Sequence, residues 1–236
     1  MESTINKISE AFASDVAKGL AADPKFLSSR YFYDARGDQI FQQIMKMPEY
    51  YLTACEYEIF NQQKDALLKA ISRDKKFSLV ELGAGDGYKT KVLLAHFLER
   101  GVNFEYYPVD ISKNVLLELK KELQDKFPDL VVTPLNYEYF TALERLNQLD
   151  DSPKTILFLG GNMGNFSAAR AHNFYNKLHE VMQPGDQVLN GIDLKKNPRN
   201  ILKAYNDESG ITKAFNLNLL NRINRELGGN FKTRKF

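Results

Sequence analysis

At 236 residues, 43% apolar and 26% charged, the chain is sized for one domain with a substantial core, with room for an N-terminal extension. A formal net charge of +2 gives no electrostatic case for nucleic acid, and the apolar runs are too short to span a membrane. One cysteine, Cys55, excludes an internal disulfide framework, and the opening MESTINKISE lacks the apolar stretch of a secretory signal, so the cytoplasm is the expected compartment.

Residues 1–30 read as a polar helix and a loop around Pro24, with Phe12, Val16 and Leu20 spaced to share a helical face. The next thirty residues are rich in rings: Tyr31, Phe32, Tyr33, Phe41, Tyr50, Tyr51, Tyr57 and Phe60. A helix is expected over Gln39–Met47, stopping before Pro48. Thr53 followed by Glu56 has capping-box spacing and predicts a second helix starting there. From Phe77 the rhythm alternates between strand and helix. Strands are expected at 77–83, 104–111, 130–135, 155–161 and 187–194, the third weakened by Pro134. Helices fall between them, at 88–100, after Ser112 until Pro128, near Phe140–Gln148 and after Ser167. Two more follow, Pro198–Tyr205 and Ile211–Leu227, the second closed by Gly228-Gly229. Five alternating strands predict an α/β fold with a parallel sheet.

The chemistry concentrates at the ends of those strands. The first leads through Glu81 into Gly83, Gly85 and Gly87, and a helix follows, which is the context of a nucleotide-binding turn. In such sheets the ligand lies beyond the carboxyl ends of the strands. Asp110 closes the second strand, where a carboxylate can accept both hydroxyls of a ribose over the glycine turn; the plain alternative is a cap for the helix after Ser112. GGNMGNF, 160–166, closes the fourth strand. Its Asn165 offers a donor and an acceptor to a zwitterionic or amide-bearing ligand, or simply turns the chain into a helix. His96, His172 and His179 lie on expected helices without partners at metal spacing, so no metal site is expected. Cys55 reads as a bystander. The aromatic stretch is either a packed cover or a tyrosine-lined lid over a cationic ligand.

YFYDARG (31–37), PEYYLT (48–53), ELGAGDGYKT (81–90), PVDIS (108–112), FLGGNMGNF (158–166) and KAYND (203–207) resemble the histidine-specific S-adenosylmethionine-dependent methyltransferases, which trimethylate the α-amine of histidine to hercynine on the way to ergothioneine. The resemblance implies a Rossmann-like class I methyltransferase core at 61–195. It also implies a substrate domain built from 1–60 and 196–236. Carried over by position, Gly83, Gly85, Lys89, Asp110 and Gly160 become S-adenosylmethionine ligands, with Tyr33 near its methionine end. Tyr50, Asn165 and Tyr205 become the residues that hold the amino and carboxylate groups of a small amino-acid substrate. Asn136-Tyr137 stands where the family usually carries Asp-Phe for the adenine. Family members run on past residue 236, so the last two sheet strands and the groups gripping the imidazole are expected to be missing. The exposed edge of the fifth strand then invites self-association. Two other readings stay open: a cofactor-binding but inactive protein, and an NAD-dependent oxidoreductase, against which GxGxG without GxGxxG speaks.

Overall fold

The computed structural model describes residues 2–73 and 75–236, with the backbone alone for residues 2–9. The chain divides into two compact units, one formed by residues up to Tyr50 together with Lys196–Phe236, the other by Tyr51–Lys195. In chain order the helices and strands are α1 (Glu2–Ala21), α2 (Ala35–Met45), α3 (Tyr51–Ile71), β1 (Phe77–Leu82), α4 (Thr90–Glu99), β2 (Phe104–Val109), α5 (Lys113–Lys126), α6 (Tyr139–Leu149), β3 (Lys154–Phe158), α7 (Ala168–Val181), β4 (Gln187–Asn190), α8 (Pro198–Tyr205) and α9 (Ile211–Leu227).

The unit spanning 51–195 is a Rossmann-like α/β layer structure. Its four strands are all parallel and ordered β2-β1-β3-β4. Strand side chains alternate between two cores. Phe77, Leu79, Tyr106 and Leu157 pack with Phe60 and Ile71 of α3, Leu93 and Phe97 of α4, and Leu119 and Leu123 of α5. Val80, Leu82, Val109, Ile156 and Phe158 face the other way, onto Ala142, Leu143 and Leu146 of α6 and Phe174 and Leu178 of α7. Helices thus cover both faces, which is why β1 is buried along its whole length.

The expected strand at 130–135 forms only two isolated bridges to β2, Tyr106 with Val132 and Val109 with Leu135. The interruption has a covalent cause. Tyr106 donates to the Val131 carbonyl and accepts from Thr133 (2.9 Å each), and Leu135 donates to the Pro108 carbonyl (2.8 Å). The next donor from β2 in that series is Pro108 itself, which has no N–H. Pro134 does no damage, because it falls between the donors Thr133 and Leu135.

In the other unit, Phe12 and Val16 of α1 pack with Tyr31 and with Leu219 and Ile223 of α9, and Leu20 sits at the margin of that cluster. Helices α2 and α9 meet through Asp34. It caps α2 by accepting from the Gly37 amide (2.8 Å), and it also accepts from Asn218 (2.8 Å) and Arg225 (2.6 Å) of α9. Burial alone would raise the Asp34 carboxyl, but the Gly37 amide, Arg225 and Asn218 together bring it below its ordinary range. Among the described residues no helix is long and apolar enough to cross a membrane.

Candidate functional site

Strand β1 delivers the chain into a turn that only glycine tolerates, with φ of +73° at Gly83, +55° at Gly85 and +63° at Gly87. The Gly83 and Ala84 amides donate to the Val109 carbonyl at the end of β2 (2.8 and 3.1 Å), and the Gly87 amide donates to Ala84 (3.0 Å). Glu81, just before the turn, is buried and accepts from Thr90 Oγ1 (2.7 Å) and from the Tyr106 hydroxyl. This acid ties β1, β2 and the start of α4 into one frame beneath the turn.

Burial pushes the Glu81 carboxyl from 4.5 up to about 7, against the pull of its two hydroxyl donors and of Lys89. A carboxyl raised in the folded state holds its proton better there than in the unfolded chain. Its contribution to stability is therefore fully present below 4.5, is lost as pH rises to about 7, and is constant above that. Replacing Glu81 with Gln removes this titration. Between pH 5 and about 7 the stability of Glu81→Gln relative to wild type should improve by about 1.4 kcal/mol per pH unit, while folded wild type keeps the Glu81 proton that its unfolded chain has lost, and then level off. Urea denaturation at several pH values reads this directly; a difference that stays flat means Glu81 is ionised throughout.

Asp110 follows β2 and stands over the glycine turn. Its carboxylate accepts from the Gly85 amide (3.1 Å) and from the Ser112 amide (2.9 Å). The α5 cap is Ser112, whose hydroxyl accepts from Val115, so Asp110 is free of that duty. Desolvation raises the Asp110 carboxyl in spite of its bonds from backbone amides. A carboxylate has about four acceptor positions, so capacity remains for hydroxyl donors. A Cβ at Gly85 would meet nothing within 4 Å, which leaves the turn open to a ligand. A ribose fits this arrangement.

Beside it, Asn136 spends its amide nitrogen on the Asp110 and Ile111 carbonyls, 2.9 Å each. An aspartate could make neither bond, which gives the asparagine a physical reason and still leaves Oδ1 as an acceptor. Tyr137 is exposed, with the Arg145 guanidinium 4.4 Å from its ring centroid.

Across the turn from Asp110, Lys89 pairs with Glu56 of α3, and both Glu56 oxygens accept from the Gly160 amide (2.8 and 3.0 Å), just beyond β3. A Cβ at Gly160 would lie 3.6 Å from Lys89 Nζ. Asn165 closes a 3-10 turn over Asn162–Asn165 and is exposed. Gly83, Gly85, Lys89, Asp110, Asn136, Tyr137, Gly160 and Asn165 thus all lie on loops following strands of one unit or on the segment beside them. Tyr33, Tyr50 and Tyr205 belong to the other unit. There they form a relay of edge-on rings: Tyr33 to Phe41 (5.4 Å), Phe41 to Tyr50 (6.4 Å) and Tyr50 to Tyr205 (5.9 Å).

Glu56 has a different role from the one its spacing suggested. Helix α3 begins at Tyr51, so Thr53 lies inside it and is buried, and Glu56 reaches Lys89 and Gly160 in place of a capping bond. The signal was present: Glu56 shares a helical face with the buried Thr53 and Phe60, and an acid on a buried face needs partners.

The sequence profile of the family described as "Histidine-specific methyltransferase, SAM-dependent" matches residues 12–236. The chain belongs to this family. It is a methyltransferase whose cofactor is S-adenosylmethionine, and the glycine turn with Asp110 is the part of this family member that fits an adenosyl group. It is 34% identical over 222 residues to the histidine N-alpha-methyltransferase of Mycolicibacterium smegmatis, covering 94% of this chain and 68% of that protein. Ergothioneine biosynthesis protein 1 of Neurospora crassa is 31% identical over 210 residues, 87% of this chain and 23% of the relative. A 4-dimethylallyltryptophan N-methyltransferase of Claviceps fusiformis is 27% identical over 207 residues, 84% of this chain and 58% of the relative.

Proposed function

We propose that this family member transfers methyl groups from S-adenosylmethionine to the α-amine of histidine, giving hercynine, and does so in the cytoplasm. The observation that carries the reading is Asp110 standing over the glycine turn, within 3.1 Å of the Gly85 amide. Asp110 takes the ribose, Asn136 and Tyr137 the adenine, and Gly83, Gly85, Lys89 and Gly160 the methionine end, a role the sequence resemblance extends to Tyr33. Tyr50, Asn165 and Tyr205 orient the amino acid. Histidine is favoured over a tryptophan-like substrate because the family match and the higher identities lie with the histidine enzymes.

When bound, the cofactor supplies an electrophilic methyl on a sulfonium. Gly83, Gly85, Lys89 and Gly160 would hold it so that this methyl meets the neutral α-amine, with the sulfur keeping the C–S electron pair; each of the first two of the three transfers to hercynine would release one amine proton to water. The protein's part is to align the amine with the methyl and to keep it unprotonated in a dry site. No side chain is assigned as a general base. Strand β4 forms one edge of the sheet, and exposed Val188, Ile192 and Leu194 lie on or just after it, so self-association through that edge belongs to the same proposal.

S-adenosylhomocysteine should raise the melting temperature and NAD should not, because only a ligand of the folded state stabilises it. Incubation of S-adenosylmethionine with histidine should yield the methylated amino acid by mass spectrometry. A shift with NAD alone would sink the methyltransfer reading, and methylation of tryptophan but not histidine would move the substrate.

A further inference from the structure

The strand order β2-β1-β3-β4 places the switch of direction between β1 and β3, which is where an open parallel sheet offers its crevice. Two opposite charges meet there. Lys89 follows the glycine turn of β1, and Glu56, from α3, spans from Lys89 to the Gly160 amide beyond β3. Their side chains are only 16% and 14% exposed. An ion pair so far out of water gains little net stability, since desolvation offsets the attraction. The chain also keeps space for it: a Cβ at Gly191 would fall 2.1 Å from Glu56 Oε1.

We propose that Glu56 is a binding residue for the cofactor's α-amino-acid end, accepting from its α-ammonium while Lys89 and the Gly160 amide take its α-carboxylate. An α-amino acid carries a cation and an anion on one carbon, and the Glu56–Lys89 pair offers the complementary charges side by side. The Gly160 amide and Lys89, both bonded to the Glu56 carboxylate, are donors of the kind a second carboxylate seeks. Binding then exchanges one charged pair for two, with no charge left unpartnered. This inference rests on the cofactor reading above and adds the group that recognises the amine.

The test compares two ligands by titration calorimetry: S-adenosylhomocysteine, which carries the amino-acid end, and 5′-methylthioadenosine, which lacks it. Wild type should bind the first more tightly. Glu56→Gln should weaken S-adenosylhomocysteine about tenfold or more, the scale of one hydrogen bond to a charged group, and leave methylthioadenosine within about twofold. Equal weakening of both ligands, or of neither, overturns the proposal and makes Glu56 a clamp between α3 and β3. Should Glu56→Gln fail to fold, wild type answers with the deaminated analogue of S-adenosylhomocysteine, expected to bind about tenfold more weakly than the parent; equal binding overturns the proposal. Wild type that binds neither adenosyl ligand overturns the cofactor reading itself.

Discussion

Asp110→Ala should weaken S-adenosylhomocysteine binding by about two to four orders of magnitude. A ribose presents two hydroxyls, and hydrogen bonds to a charged acceptor contribute roughly 1.5–3 kcal/mol each. Losing both removes about 3–6 kcal/mol of affinity, which gives that factor. Asp110 also accepts from the Gly85 and Ser112 amides, so part of the loss comes from a loosened turn. Asp110→Asn separates the two contributions, because it keeps the volume and one acceptor oxygen near those amides while giving up the charge. The asparagine variant should sit between wild type and alanine. If alanine binds within about threefold of wild type, Asp110 only holds the Gly85 turn and the start of α5, and the ribose is held elsewhere.

How much of this was legible in the sequence follows from how local each cause is. The glycine turn declared itself because positive φ at Gly83, Gly85 and Gly87 is a property of each residue alone. Asp110 was readable because a strand end and a glycine turn fix where its carboxylate goes. The two-faced burial of the sheet follows from strict alternation along strands such as Phe77–Leu82. Where a cause lies in another segment, the sequence was silent. The 130–135 strand is broken by the missing N–H of Pro108 on its neighbour, and Pro134 inside it does no harm. Glu56 fitted a local capping pattern, yet its partners are Lys89 and Gly160, the latter more than a hundred positions away. Asp34 looked like one letter of a motif, while its work is to join the start of α2 to Asn218 and Arg225. Asn136 read as a weakened aspartate until its bonds to two carbonyls gave it a reason.

That same joint at Asp34 predicts a substitution whose sign opposes helix propensity. Gly37 lies in the first turn of α2, where alanine should favour the helix by about 1 kcal/mol. A Cβ at Gly37, however, would sit 1.8 Å from the Phe32 carbonyl oxygen and 2.9 Å from its carbon. Both are backbone atoms, so no rotamer change relieves the overlap. The Phe32–Asp34 segment must move away from α2, and that strains the bonds Asp34 makes to Gly37, Asn218 and Arg225. Overpacking against fixed atoms costs roughly 1–3 kcal/mol and a weakened charged hydrogen bond adds to it. Gly37→Ala should therefore destabilise by about 2–3 kcal/mol net, a fall in melting temperature of roughly 5–10 °C for a chain of this length. Asp34→Ala should do comparable damage through the same joint. Because the two changes strike one network, the double variant should lose clearly less than the sum of the single losses. A Gly37→Ala protein that melts at or above wild type, or strictly additive losses, would show that the close approach of Phe32 to α2 does not control the stability of this unit.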